Sequence, residues 1–206
     1  RFAGVQGELA QLKIQLDQNR TEMEKCGKKL GKLKRKKLTY PAGVELLVET
    51  LQEDFSQIGR EVQPGILCEM LEIQDEEWRD AVEGYLNSQR FYVLVKPEDF
   101  DLALGTYDRL RREKKVYSVG LINTKDLEKY DTASEGTLAS VVTSRNPYAR
   151  QYSNMILGKV QMCERYEDLK KYSISITKGC MRYQNRVASA IKPEVYRVPF
   201  IGKNAF

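Results

Sequence analysis

Ile66-Leu67-Cys68-Glu69-Met70-Leu71-Glu72-Ile73, Glu76-Glu77-Trp78-Arg79-Asp80-Ala81-Val82-Glu83-Gly84-Tyr85-Leu86 and Phe91-Tyr92-Val93-Leu94-Val95 are three neighbouring stretches with different hydrophobic periods. In the first, Ile66, Leu67, Met70, Leu71 and Ile73 read as a short apolar strand. In the second, Trp78, Ala81, Val82 and Tyr85 fall on one helical face, and the third is continuously apolar and rich in β-forming residues. Strand, helix, strand is the expected order. Downstream, Pro97 marks a helix start followed by Phe100, Leu102, Ala103, Tyr107 and Leu110, and residues 116–122 read as another buried strand. This alternation predicts an α+β (mixed α/β) layered fold.

The pattern continues toward the C-terminus. Residues 126–136 are polar and read as loop or a short helical turn, and 138–142 and 147–157 read as helices, with Gly158 ending the second. Residues 160–163 form a strand, 166–172 a helical turn or two, and Ile174-Ser175-Ile176 and 181–187 strands separated by a Lys178-Gly179 turn. Residues 193–206 are irregular. The helix-turn-strand unit beginning at Trp78 can be laid over the one beginning at Ala149, offset by 71 residues, which predicts two pseudo-repeated subdomains over roughly 65–125 and 135–200. The identities between them are few, and any two helix–strand units look alike to this extent.

Upstream the period is different again. Phe2, Leu9, Leu16, Met23 and Leu30 occupy a positions of a heptad repeat, and Val5, Leu12, Asn19, Cys26 and Leu33 the d positions. One narrow seam results, and such a seam requires another helix to cover it. Asn19 is the polar d residue, which costs stability and can fix register. Gly27 and Gly31 each weaken a helix interior by about 1 kcal/mol relative to Ala. Thr39-Tyr40-Pro41 ends the pattern, predicting a coiled-coil arm over 1–38 and a globular domain over 39–206. Val44, Leu47, Val48, Leu51, Phe55 and Ile58 then mark a helix docked on the core.

Charge is unevenly placed. Residues 1–38 hold eleven Lys and Arg against four Asp and Glu, residues 39–177 hold seventeen against twenty-four, and residues 178–206 hold six against one. The basic run Lys25, Lys28, Lys29, Lys32, Lys34, Arg35, Lys36 and Lys37 has a density suited to a phosphate backbone, although a solvated coiled-coil face is the bland alternative. Cys26, Cys68, Cys163 and Cys180 lack zinc or redox spacing and read as packed free thiols. With no stretch of roughly 20 apolar residues and no leader pattern, a soluble intracellular protein is expected.

Independent catalysis is not expected. The chain has no histidine and no Gly-x-Ser-x-Gly or phosphate-loop pattern; Gly27 to Lys32 is the nearest lookalike, with its glycines one residue too close. Asp75, Glu76 and Glu77, and Glu98, Asp99 and Asp101, sit at helix starts, where they complement helix dipoles better than they would hold a metal. No cofactor and no metal is expected.

The ordered pieces in the opening stretches resemble the hinge domain of SMC proteins. Glu135-Gly136-Thr137-Leu138-Ala139, Asn146-Pro147-Tyr148-Ala149-Arg150, Leu157-Gly158-Lys159-Val160 and Tyr196-Arg197-Val198-Pro199-Phe200-Ile201-Gly202 look most like the MukB-like bacterial condensins of the MksB and Wadjet JetC group. The resemblance implies a homodimerisation hinge at the tip of an antiparallel coiled-coil arm. The ATPase heads, and the sites for kleisin and accessory subunits, would lie elsewhere in the full-length protein. It further implies a cytoplasmic, nucleoid-associated role in DNA loop extrusion, serving plasmid defence or chromosome segregation, with no membrane contact. In that family the arm returns after the hinge, so the natural mate of the seam would follow Phe206.

Two site expectations follow. Gly136, Leu138, Tyr148, Tyr152, Ile156 and Gly158 are candidates for the dimer interface, where glycines allow close approach, against ordinary core and turn positions as an equally good account. Lys28, Lys29, Lys32, Lys34, Arg35, Lys36 and Lys37 would join Lys178, Arg182 and Arg186, with Lys192 nearby, as one DNA-binding patch at the hinge–arm junction. The rival class is a coiled-coil-tethered fragment of a nucleic-acid-processing enzyme.

Overall fold

A computed structural model describes residues 11–23 and 40–202. These belong to two compact units. In the first, residues 11–23 form helix α1, and the seam residues Leu12, Leu16 and Met23 are 63, 66 and 76% exposed, with Asn19 exposed beside them. Leu9, Cys26, Leu30 and Leu33, and the cluster from Lys28 to Lys37, lie outside the described residues.

The second unit opens with α2 (Ala42–Gln57), which starts once Pro41 has turned the chain in extended geometry. Val44, Leu47, Leu51 and Phe55 recur at three- and four-residue steps and are all buried, as the sequence period predicts. Ile58, expected on the same face, caps the helix end and is exposed. Helix α5 (Phe100–Lys114) packs beside α2, and the Thr106 hydroxyl and the Arg109 guanidinium both donate to Asp54.

The expected strand over 66–73 is in fact three elements: β1 (Gly65–Ile66), a one-turn helix α3 (Leu67–Met70) and β2 (Glu72–Ile73). Burial explains the change. Leu67, Cys68 and Leu71 are all buried, and a strand turns successive side chains to opposite faces, whereas a helical turn gathers residues i, i+1 and i+4 on one side. The expected strand over 116–122 shortens to β4 (Leu121–Ile122), because Lys115 and Ser118 adopt left-handed backbone (φ 56° and 62°). At Gly120 the Tyr92 ring lies so close that a Cβ would meet it at 2.5 Å.

Helix α4 (Arg79–Leu86) follows a 3-10 turn at Glu76–Trp78, whose backbone the Asp75 carboxylate caps by accepting from Glu77 N. A 3-10 turn over Asn87–Phe91 leads into β3 (Val93–Leu94), which pairs antiparallel with β1 and parallel with β4 through the α5 crossover. β2 pairs antiparallel with β5 (Val142–Thr143) and so joins the first half to the second. The helix expected over 138–142 is a 3-10 turn, Leu138–Val141, that runs into β5.

In the second half, α6 (Pro147–Leu157) is capped by the Asn146 side chain and carries proline in its first turn. A four-stranded sheet follows: β6 (Gln161–Cys163) parallel to β7 (Ile174–Thr177), then β8 (Met181–Gln184) and β9 (Val187–Ala190), both antiparallel. The expected single strand over 181–187 is the β8–β9 hairpin. Its turn residues Asn185 and Arg186 both have positive φ, the backbone of a tight two-residue hairpin turn. A one-turn helix α7 (Pro193–Tyr196) precedes the last described segment. One core runs through both halves, from Leu47, Leu51 and Phe55 to Leu138, Leu157, Ile176 and Ile201.

Two glycines should respond oppositely to alanine. Gly120→Ala presses a methyl group into the Tyr92 ring and should destabilise by about 1–3 kcal/mol. Gly105→Ala, in the interior of α5 with nothing within 4 Å of its Cβ position, should stabilise by about 0.4–1 kcal/mol. Urea midpoints of the two variants check the contrast.

Candidate functional site: the junction of the globular unit's two ends and an open sheet edge

Glu83 stands among the buried Ala81, Val82, Gly84 and Leu86 of α4 and is itself 0% exposed. A buried carboxylate requires partners. Its Oε1 accepts from the backbone N–H groups of Phe200 (2.6 Å) and Ile201 (2.7 Å), and its Oε2 accepts from Arg90 at 2.8 Å. The 3-10 turn after α4 carries Arg90 back beneath Glu83, where it is also buried and donates to the Val195 carbonyl at 2.7 Å.

Aromatic rings complete the cluster. The Arg90 guanidinium lies 4.8 Å from the Phe91 ring centre and 5.0 Å from that of Phe200. Phe91 and Phe200 meet edge to face at 4.7 Å, and Tyr40 lies 6.2 Å from each of them. The Tyr40 hydroxyl donates to Glu69 at 2.8 Å, and burial pushes its pKa well above the usual phenol range. Tyr40, the first residue of the globular unit, is thus in ring contact with Phe200, close to the last of its described residues. Arg79 adds a further tie: it is paired with Glu76 and donates to the Ile201 carbonyl at 2.6 Å.

Burial also settles the state of the thiols. It raises Cys68 to about 12 and Cys180 to about 11, so both remain protonated near neutral pH and are poor nucleophiles. Among the described residues no group of three or more Cys, Asp or Glu side chains is placed to hold a metal, and no helix is long and apolar enough to cross a membrane.

The candidate interface residues separate into two sets. Leu138 is fully buried; its N–H donates to Val160, and the Gly136 carbonyl accepts from Met162, so both residues line the outer side of β6 within the chain. A Cβ on Gly158 would meet the Asn154 carbonyl at 2.5 Å, so this glycine serves the local helix end. Tyr148, Tyr152 and Ile156 share one half-buried face of α6 and pack against the core. Burial raises the Tyr152 hydroxyl to about 12.

With β6 covered by residues 136–138, the open side of the four-stranded sheet is β9, which has no strand partner beyond β8 among the described residues. Val187 on this edge is 60% exposed, and Ala188 and Ala190 are exposed as well. Beside it Tyr166, Leu169, Met181, Tyr183 and Ala188 line an apolar groove of about 420 Å³. The residues 187–190 have no polar marker in the sequence except Ser189, which is why the edge is not evident before the hairpin is seen.

Of the candidate DNA-binding cations in this unit, Lys178 pairs with Glu77 (2.7 Å) and Glu164 (3.0 Å) and sits over the Trp78 ring, its amine pKa raised chiefly by the hydrogen bond to Glu77. Arg182 is half-buried and reaches Ser189 at 3.4 Å, whereas Arg186 is exposed at the hairpin tip. Removing one member of the buried pair has a definite expected cost. Glu83→Ala should destabilise by about 3–5 kcal/mol, because it strands the Arg90 charge and two backbone donors. Adding Arg90→Met to Glu83→Ala should restore part of that loss in urea denaturation.

No family model and no curated protein matches this chain. Solved structures do. The Geobacillus stearothermophilus SMC hinge domain, solved as an asymmetric dimer, is similar with a TM-score of 0.57 at 12% identity, over 85% of this chain and 75% of that one. The Pyrococcus furiosus SMC hinge domain is similar with a TM-score of 0.50 at 13% identity, over 73% of this chain and 90% of that one. A mixed helix-and-strand chain of small sheets with this likeness has the fold of SMC hinge domains.

Proposed function

We propose that this chain is the homodimerisation hinge of an SMC-like protein, joining two coiled-coil arms, in a bacterial condensin of the MksB and Wadjet JetC kind. The observation that carries the reading is the contact between Tyr40 and Phe200. An antiparallel arm needs the segment arriving at the globular unit and the segment leaving it to be side by side, and this contact puts them there. The exposed seam of Leu12, Leu16 and Met23 fits a helix awaiting a mate, and the Geobacillus neighbour is itself a dimer. The resemblance of residues 135–160 and 196–202 to the MukB-like group supports the finer assignment. Kleisin, accessory subunits and ATPase heads belong to other parts of such a protein.

The pairing surface is the β9 edge. An open edge with small apolar residues is a template for strand addition, and the adjoining groove offers apolar area to the same partner. DNA contact is a second activity, resting on Lys28 to Lys37 with Arg186 as an exposed addition in the globular unit.

Light scattering should give a dimer mass both for the whole chain and for residues 40–206. A dimer that disappears with residues 1–39 would assign pairing to the heptads alone. Val187→Lys, which puts charge on the open edge, should weaken the dimer by at least about tenfold; an unchanged dissociation constant removes β9 from the interface. For DNA, Lys32, Lys34, Arg35 and Lys36 changed together to Glu should abolish duplex binding in fluorescence anisotropy and flatten its salt dependence. Unaltered affinity would discard the patch.

A further inference from the structure

The stretch from the last turn of α7 to the end of the described residues, 195–202, is held in an unusual way. Its backbone pairs with no strand; three charged side chains from residues 79–90 bind it instead. Arg90 takes the Val195 carbonyl, Glu83 takes the Phe200 and Ile201 N–H groups, and Arg79 takes the Ile201 carbonyl. Tyr196 crosses α4 at Gly84, where a Cβ would stand 3.3 Å from the ring. Ile201 is fully buried, yet Arg197 and Val198 between these anchors are exposed. The segment is therefore a strap, fixed at two places and bowed outward between them.

We infer that Glu83 and Arg90 form a latch that couples this strap to the incoming end of the globular unit at Tyr40, so that the two ends of the domain open and close together. If the Phe200–Ile201 anchor lifts, Glu83 loses two of its donors and Arg90 loses the Phe200 face. If the Val195 anchor lifts, Arg90 loses a carbonyl acceptor while still buried. Each partial release leaves a buried charge with fewer partners, an expensive state, so half-open forms are disfavoured and the strap behaves as a two-state element. Phe200 also covers one side of the Tyr40 ring. Release of the strap uncovers one side of Tyr40, which keeps the Phe91 ring, Glu69, Cys68 and its packing on the core.

The β6–β9 sheet makes none of these ties; they run from residues 79–91 to 195–201 and to Tyr40. One contact does link the strap to the sheet, the side-chain hydrogen bond between Tyr196 and Cys180 in the β7–β8 turn, whereas β6 and the 3-10 turn after it lie apart from these ties. The latch goes beyond the hinge reading, and it holds whether or not two copies of the chain pair.

Hydrogen exchange with mass spectrometry on the full 206-residue chain tests it. The variant Phe200→Leu removes the ring between Arg90 and Tyr40 without stranding a charge, and Glu83→Gln retains an acceptor oxygen while losing the charge on Arg90's partner. In both, peptides covering 195–201 and peptides covering 41–47 should exchange faster by about tenfold, in step, while peptides covering 161–171 keep wild-type rates. Faster exchange at 195–201 with no change at 41–47 makes the two ends independent and overturns the coupling. Equal acceleration everywhere means a general loss of stability, and no change anywhere means that the pair does not hold the strap; either result also overturns it.

Discussion

The carboxylate of Glu83, buried in α4, is the constraint on which the arrangement of the globular unit turns. An isolated charge in such a place is strongly unfavourable, and a well-packed apolar residue of similar size would often serve stability as well or better. What an apolar residue lacks is direction. Glu83 fixes where two backbone N–H groups and one guanidinium must be, and that guanidinium fixes a further carbonyl and lies against two rings. One helix thereby determines the path of a segment more than a hundred residues later in the chain. The consequence for function is geometrical: Phe200 is held where Tyr40 can meet it.

Two surfaces remain uncovered among the described residues, and they differ in kind. On α1 the uncovered feature is a narrow apolar seam, which another helix can fill with side chains. On β9 it is a row of backbone groups flanked by small side chains, which another strand can fill with hydrogen bonds. The hinge role proposed for this chain would use both kinds, one for the arm and one for the partner. The parallel pairs β3–β4 and β6–β7, each preceded by a helix-to-strand passage, give the two halves comparable scaffolds. Only the second half continues into an edge hairpin.

The sequence showed the helices of this fold much better than its strands, for a reason visible in particular residues. Helices α2, α5 and α6 run through three or more turns, so Val44, Leu47, Leu51 and Phe55 declare a period. Strands β1 to β5 are two residues each, too short for alternation to register, and Leu67-Cys68 and Leu71 therefore looked continuous with Ile66. The β8–β9 turn is built from Asn185-Arg186 without glycine, so the sequence of the hairpin reads as one strand. At the site, the sequence marks Tyr40 only as part of the Thr39-Tyr40-Pro41 break and Phe200 only within the stretch 196–202 that carries the family resemblance. Glu83 and Arg90 are seven residues apart, the spacing that returns to one helical face, and Glu83 interrupts an otherwise apolar side of α4. That interruption was the available signal, and it takes the folded chain to show that its carboxylate answers residues 200 and 201.

Charge needs the same distinction between what a sequence contains and what a surface offers. Residues 178–206 are rich in Lys and Arg, yet Lys178 is neutralised by two carboxylates from distant parts of the chain and packs over Trp78. Arg182 lies half-buried on the hairpin, and of the candidates in this unit Arg186 and Lys192 are the exposed ones. Counterion release grows with the number of cations that can reach phosphates, whatever the net charge of the segment. The reading of a phosphate-binding surface therefore rests on the seven cations between Lys28 and Lys37.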